Sequence, residues 1–187
     1  NLPPERIALR PVEPRDAARL LHVVGDEMAD RHVRDLPSLL RAGDCLVFND
    51  TRVIPAQLEG VRGDARIGAT LHKRVDARRW QAFVRNAKRL REGERVDFGH
   101  DVTAIAEARG ADGSITLFFE GDDPVELLLE RAGRMPLPPY IAGKRAADAR
   151  DRSDYQTMFA AKDGAVAAPT ASLHFTPVLS ATLAAAG

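Results

Sequence analysis

The chain has 187 residues, 44% of them hydrophobic and 29% charged, with a formal net charge of zero. That composition supports one packed core or two small ones and argues against wholesale disorder. No apolar run approaches the roughly 20 residues that a membrane-spanning helix needs, and the solitary Cys45 excludes a disulfide framework or a cysteine metal cluster.

The chain opens NLPPERIALRP, with no Met and no signal-peptide character, so an upstream natural start and a cytoplasmic location are expected. Pro3, Pro4, Pro11 and Pro14 keep this start out of long helices, and residues 1–43 read as extended and helical pieces. RDLPSLLRAGD predicts a short helix with Leu36, Leu39 and Leu40 on one face, stopped at Gly43. CLVFND predicts a short apolar strand over residues 45–50, and Asn49-Asp50-Thr51 is turn chemistry.

Residues 57–121 read as short strands and turns: ARIGATLHKRV, RWQAFVRNA, ERVDFG, DVTAIAEA and SITLFFEG. Gly and Asp punctuate them at the short intervals of small barrels and sandwiches. In RWQAFV the period of two places Trp80, Ala82 and Val84 on one face and Gln81, Phe83 and Arg85 on the other. DDPVELLLERAG then predicts a helix, with Asp123 as cap, Pro124 in the first turn and Gly133 as the stop. MPLPPYI predicts extended chain. RDRSDYQTMFA predicts a short helix capped by Ser153, and Thr176-Pro177 predicts the start of a last helix, VLSATLAAAG. The order α/β, all-β, α/β implies one domain inserted into another.

The neutral total hides a polarised middle. Residues 62–95 carry eleven Lys or Arg against four acids, net +7, while residues 96–135 carry three Arg against nine acids, net −6. A basic face of this kind suits phosphate contacts; solvated strand faces give the same count.

Two polar clusters sit beside apolar strands. Asn49, Asp50, Thr51 and Arg52 offer an amide, a carboxylate, a hydroxyl and a guanidinium in succession. Ligand groups gather at such strand ends, and so do Asx-turns that merely cap the strand. GAVAAPTASLHFTP, residues 164–177, has small side chains that permit close backbone approach, followed by Pro169, Thr170, Ser172, His174 and Phe175. His174 is suited to general acid–base work near neutral pH, or to a plain structural role. Tyr140, after two prolines, is a stacking platform or a plug under a loop. No metal-ligand pattern, dinucleotide fingerprint or phosphate-cradling GK[ST] is present.

Five strings, LRPVEPRDAARLL, LRAGDCLVFNDTRVIPAQL, AGRMPLPPYI, DYQTMFA and GAVAAPTASLHFTP, stand in an order and spacing that resembles the S-adenosylmethionine:tRNA ribosyltransferase-isomerase family of queuosine biosynthesis. The resemblance covers nearly the whole chain but only the N-terminal portion of that family. It implies a mixed α/β fold: an incomplete α/β-barrel-like catalytic domain, residues 1–57 and 132–187, with a small antiparallel β-barrel inserted at 58–131. It also implies transfer and isomerisation of the ribosyl part of S-adenosylmethionine onto 7-aminomethyl-7-deazaguanine at the wobble position of tRNA. Epoxyqueuosine-tRNA, adenine and methionine are the products.

S-adenosylmethionine is then a co-substrate, with no prosthetic group and no metal. The anticodon stem-loop is the partner, and a monomer is expected. Asp50 and His174 become the candidate catalytic bases. Asn49, Thr51, Arg52, Tyr140, Pro169, Thr170, Ser172 and Phe175 become candidates for substrate binding, and Arg78, Arg79, Arg85, Lys88 and Arg89 for tRNA binding. Ser172 stands where the resemblance leads one to expect Gly. A non-catalytic RNA-binding barrel, in a chain too short to complete the pocket, is the alternative reading.

Overall fold

The computed structural model describes residues 3–187. After 3-10 turns at Pro4–Arg6 and Arg15–Ala17, strands β1 (Arg19–Val24) and β2 (Glu27–His32) precede a third 3-10 turn (Val33–Asp35) and helix α1 (Leu36–Leu39). Strand β3 (Thr51–Val53) leads to β4 (Gln57–Arg62), β5 (Ala65–Arg74), β6 (Arg79–Arg85), β7 (Arg95–Asp97), β8 (Thr103–Arg109) and β9 (Ile115–Phe119). Helices α2 (Val125–Ala132), α3 (Pro139–Ala142) and α4 (Asp151–Asp154), strand β10 (Lys162–Ala165), a 3-10 turn (Thr170–His174) and helix α5 (Pro177–Ala186) follow. The fold is mixed α/β.

Contacts divide the chain into two units. The first holds residues up to Arg52, Tyr140–Asp163 and Ala168–Gly187; the second holds Val53–Pro139 and Gly164–Ala167. The chain passes between them four times: within β3, between Pro139 and Tyr140, within β10, and between Ala167 and Ala168.

The second unit is built on a closed barrel in the order β4-β5-β6-β9-β8-β7, with every paired neighbour antiparallel. The period of two explains its core. Leu58, Ile67, Ala69, Leu71, Trp80, Ala82, Val96, Ala104, Ala106, Ile115, Leu117 and Phe119 point inward and are buried, and α2 adds Val125, Leu128 and Leu129. Each fully buried Leu, Ile or Phe contributes about 1.5–3 kcal/mol. Alanines facing large residues let the interior fill without voids. Gly133, just past α2, is required by close approach: a Cβ there would lie 2.1 Å from Pro55 O and 2.4 Å from Leu129 O.

Register also accounts for the charge pattern. Four bases of the net-positive segment lie beside acids of the net-negative one, so part of the polarity along the chain cancels in space. Arg79 meets Glu107 at 2.8 Å, Arg95 meets Glu120 at 2.5 Å, Arg74 meets Glu126 at 3.2 Å and Arg78 meets Asp122 at 3.5 Å.

The first unit is organised around buried charge. Asp151, fully buried, receives Arg145 at 2.5 and 2.8 Å, Arg10 at 2.9 Å and the Asp148 amide at 2.8 Å. Arg10 also reaches Asp148 and Asp154. Arg15 donates to the carbonyls of Ser153, Gln156 and Leu173. Thr176 caps α5, accepting from Leu179 N at 3.1 Å while its hydroxyl donates to Asp16 at 2.8 Å, and Pro177 takes the first helical position as predicted.

Local expectations change in several places. Residues 19–32 form a hairpin, β1–β2, closed by a two-residue Gly25-Asp26 loop with Gly25 at φ +58°. No strand forms over 45–50; the Asn49 side chain takes the Thr51 amide, and the strand starts at Thr51. Extended chain was expected through 141, but Pro139 opens the short α3, where its fixed φ suits a first turn. Ser153 does not cap α4: it lies inside the helix and donates to Arg150 O at 2.8 Å. Asp123 makes no cap bond to α2 and instead pairs with Arg131 at 2.9 Å. Strand β4, absent from the predicted strings, closes the barrel onto β7.

Candidate active site

The polar corner at residues 49–52 is shaped by its own backbone. Asn49 Oδ1 accepts from Thr51 N at 2.8 Å and from Thr51 Oγ1 at 2.6 Å, an Asx-turn with the hydroxyl added. These two predicted binding residues are therefore occupied with each other. The turn leaves Asp50 facing outward, half-buried, and aims its carbonyl at the strand that follows.

That strand is β10. The amides of Ala161 and Lys162 both donate to Asp50 O, at 2.7 and 3.1 Å. Further along, Ile54 N donates to Ala165 O at 2.9 Å, so the bonds advance in the same direction on both chains and β3 and β10 pair in parallel.

Pairing brings Lys162 Nζ to 2.7 Å from Asp50 Oδ2. The Lys162 hydrogen bond and charge hold the Asp50 carboxyl below the usual carboxylate range, against a smaller opposing desolvation, and the Lys162 ammonium is raised in turn. Two residues past Asp50, Arg52 Nε lies 3.6 Å from Asp163. Sequence reasoning missed Lys162 and Asp163. The available signal was their position, a charged pair immediately before the small-residue run.

Aromatic rings join this corner to the segment holding His174. Phe48 stacks on Phe159 with centroids 4.1 Å apart, and Phe175 meets Phe48 edge-on at 4.8 Å. His174 closes the 3-10 turn Thr170–His174 and is half-buried. Ser172 is buried in that turn, with its amide on Pro169 O at 2.9 Å, and Thr170 is exposed. Ser172 is not left-handed, so Ser is compatible with the backbone there. Phe48 and Phe159 were not foreseen as partners of Phe175. Tyr140 is 58% exposed at the start of α3.

The side chains gathered here can do specific chemistry. Asp50 supplies a carboxylate whose pKa Lys162 lowers, Lys162 and Arg52 supply cationic charge, and the rings of Phe48, Phe159 and Phe175 supply an apolar wall. The second polar feature that sequence reasoning missed is the Arg10, Arg145, Asp148, Asp151 and Asp154 network. Its signal was the spacing of three between the aspartates, which stacks them on one side of a helical turn.

On the barrel, the predicted RNA-facing residues divide in two. Arg78, Arg79 and Arg85 carry carboxylate partners at 3.5, 2.8 and 2.5 Å. Lys88 and Arg89 are exposed on the 3-10 turn Ala87–Arg89 and form no ion pair among the described residues.

Comparison with known proteins agrees with the motif reading. The family model for queuosine biosynthesis protein matches residues 1–187. S-adenosylmethionine:tRNA ribosyltransferase-isomerase of Sphingopyxis alaskensis is 75% identical over all of this chain and 53% of its own length. That of Rhizorhabdus wittichii is also 75% identical, over all of this chain and 55% of its own. A crystal structure of S-adenosylmethionine tRNA ribosyltransferase from Thermotoga maritima is 31% identical, with a TM-score of 0.40, covering all of this chain and 53% of that one. The chain thus spans about half the length of the curated relatives it matches. The chain belongs to the queuosine biosynthesis protein family.

Proposed function

We propose that this polypeptide carries the N-terminal part of an S-adenosylmethionine:tRNA ribosyltransferase-isomerase. It transfers and isomerises the ribosyl moiety of S-adenosylmethionine onto 7-aminomethyl-7-deazaguanine at the wobble position of tRNA. Epoxyqueuosine-tRNA forms, and adenine and methionine leave. The observation that carries the reading is the family match over the whole chain together with relatives of that name at 75% identity. Residues 1–57 and 132–187 form the catalytic domain, 58–131 the inserted barrel, and the protein works as a cytoplasmic monomer.

The reaction needs a base beside a sulfonium, whose charge already acidifies the neighbouring carbons. Asp50 suits this because it is ionised and its position is fixed by β10; His174 is the second candidate. A carboxylate kept at low pKa is a modest base, which suffices for an acidified C–H. Arg52 meets the methionine carboxylate, and Asn49 and Thr51 hold the turn that orients Asp50. Pro169, Thr170 and Ser172 shape the opposite wall of the nucleoside site, and Phe175 and Tyr140 offer ring faces to bases. The barrel, through Arg78, Arg79, Arg85, Lys88 and Arg89, meets the tRNA backbone.

The test is release of adenine from S-adenosylmethionine by full-length protein, with tRNA bearing the aminomethyl base present. Turnover in its presence and none in its absence supports the reading. RNA binding without adenine release would instead favour a non-catalytic RNA-binding role.

A further inference from the structure

Three strands of the barrel present an outer face whose chemistry differs from the rest of its surface. On β4, β5 and β6 the register places Glu59, Gly68 and Arg85 in one row, with Gln57, Thr70 and Phe83 in the next. Gly68 is the key to the first row. A Cβ there would stand 3.2 Å from both Arg85 Nη2 and Glu59 Oε1, so the bare backbone lets Arg85 reach across a whole strand to Glu59 at 2.5 Å.

Beside this pair opens a depression of about 500 Å³ lined by Arg66, Arg85 and Arg134 against the single acid Glu59. Arg66 and Arg134 are exposed and carry no carboxylate partner among the described residues. Arg134 is fixed at its edge by backbone bonds to Gln57 in both directions, at 2.8 and 3.1 Å. The lining therefore has two positive charges in excess.

Next to it along β6, Phe83 is 51% exposed. One of its faces is covered by His72, with centroids 4.3 Å apart and planes 16° from parallel. The contrast with Phe118, on the outside of β9, is instructive. Phe118 lies under the guanidinium groups of Arg78 and Arg79, at 5.4 and 4.8 Å, and those arginines are already bound to carboxylates. Phe83 has no such cover, and of the arginines beside it Arg66 and Arg134 retain uncompensated charge while Arg85 is paired with Glu59.

We infer that the β4-β5-β6 face is where RNA is gripped. Arg66 and Arg134 hold phosphates, and an unpaired base stacks on Phe83, whose ring is backed by His72. This rests on the tRNA reading above and gives it a surface. A duplex keeps its bases stacked and cannot use Phe83, so the occupant is a single-stranded stretch such as a hairpin loop. An acidic protein segment would answer the arginines but would have no use for an exposed ring backed by a second ring.

The experiment measures anisotropy of a labelled RNA stem-loop on full-length protein over a range of salt concentrations. Arg66→Glu with Arg134→Glu should weaken binding and reduce the slope of log affinity against log salt by about 2. Phe83→Ala should weaken binding about tenfold with the slope unchanged, and Phe83→Trp should restore it. Reversal at the carboxylate-paired Arg78 and Arg79 should cost less than half as much. Thermal melts should show the two reversed arginines to be folded, since both are exposed. If the double reversal binds with wild-type affinity and slope while adenine release persists, this face is wrong and the functional reading stands. If wild-type protein neither binds the stem-loop nor releases adenine, the functional reading fails with it.

Discussion

Asp50 and Lys162 are joined twice: the amide of Lys162 donates to the Asp50 carbonyl at 3.1 Å, and its ammonium meets the carboxylate at 2.7 Å. The strand pairing therefore sets the ionisation of the residue proposed as base. Replacing Lys162 with Ala should let the Asp50 pKa rise toward the ordinary value. The acid limb of the rate profile would then move to higher pH, while Lys162→Arg would keep it low. Asp50→Asn should lower turnover about a hundredfold or more. A pH profile of adenine release checks both, and an acid limb that stays in place in Lys162→Ala would remove Asp50 from the role.

The buried Asp151 carries a stability prediction. Burial pushes its pKa up, but the Arg145 hydrogen bonds, the Asp148 amide and the charges of Arg145 and Arg10 outweigh it, so the carboxyl lies below its usual range. A depressed folded-state pKa means the unfolded chain takes up the proton first. The contribution is complete above about pH 4 and is lost as pH falls through the folded-state value. Arg145→Ala should cost about 1.5–3 kcal/mol at neutral pH, because it removes charged hydrogen bonds to a buried carboxylate that keeps Arg10 and the Asp148 amide. Thermal melts between neutral and acid pH should show the variant losing less on acidification than the wild type does.

Gly133→Ala should destabilise the barrel unit by roughly 1–3 kcal/mol or more. The new Cβ would meet two backbone carbonyls, those of Pro55 and Leu129, and neither can swing aside as a side chain can. Denaturant midpoints measure this. A neutral result would mean that the chain at 133 shifts freely.

The rings of Phe48 and Phe175 should be energetically coupled. A double-mutant cycle with Phe48→Ala and Phe175→Ala should return about 0.5–1.5 kcal/mol of interaction beyond additivity. A coupling of zero would show that the edge-on contact at 4.8 Å does not tie the two segments together.

Much of the barrel was readable because alternation is local. Trp80 and Ala82 are buried and Phe83 and Arg85 exposed, as a period of two requires. The apolar content of residues 45–50 reads as a strand, but pairing begins only at Thr51, whose amide is held by Asn49. The hairpin at 19–32 was missed because its apolar residues do not alternate cleanly: Leu21, Val23, Val24 and Met28 are all more than half exposed. At the site, Asp50 and Arg52 stood out by residue type. Their partners Lys162 and Asp163 lie more than a hundred positions away, and beyond their place just before the small-residue run nothing in a single sequence marks whom they pair with. For the same reason the basic count over 62–95 did not reveal which arginines meet acids across the strands.

The antiparallel bridge between Gln57 and Arg134 has a consequence for how such a protein can be assembled. The first barrel strand and the segment leaving α2 come back to within one residue pair of each other, so the module begins and ends at the same spot. Closely spaced ends of this kind are what let a closed unit be carried as an insertion in a longer chain.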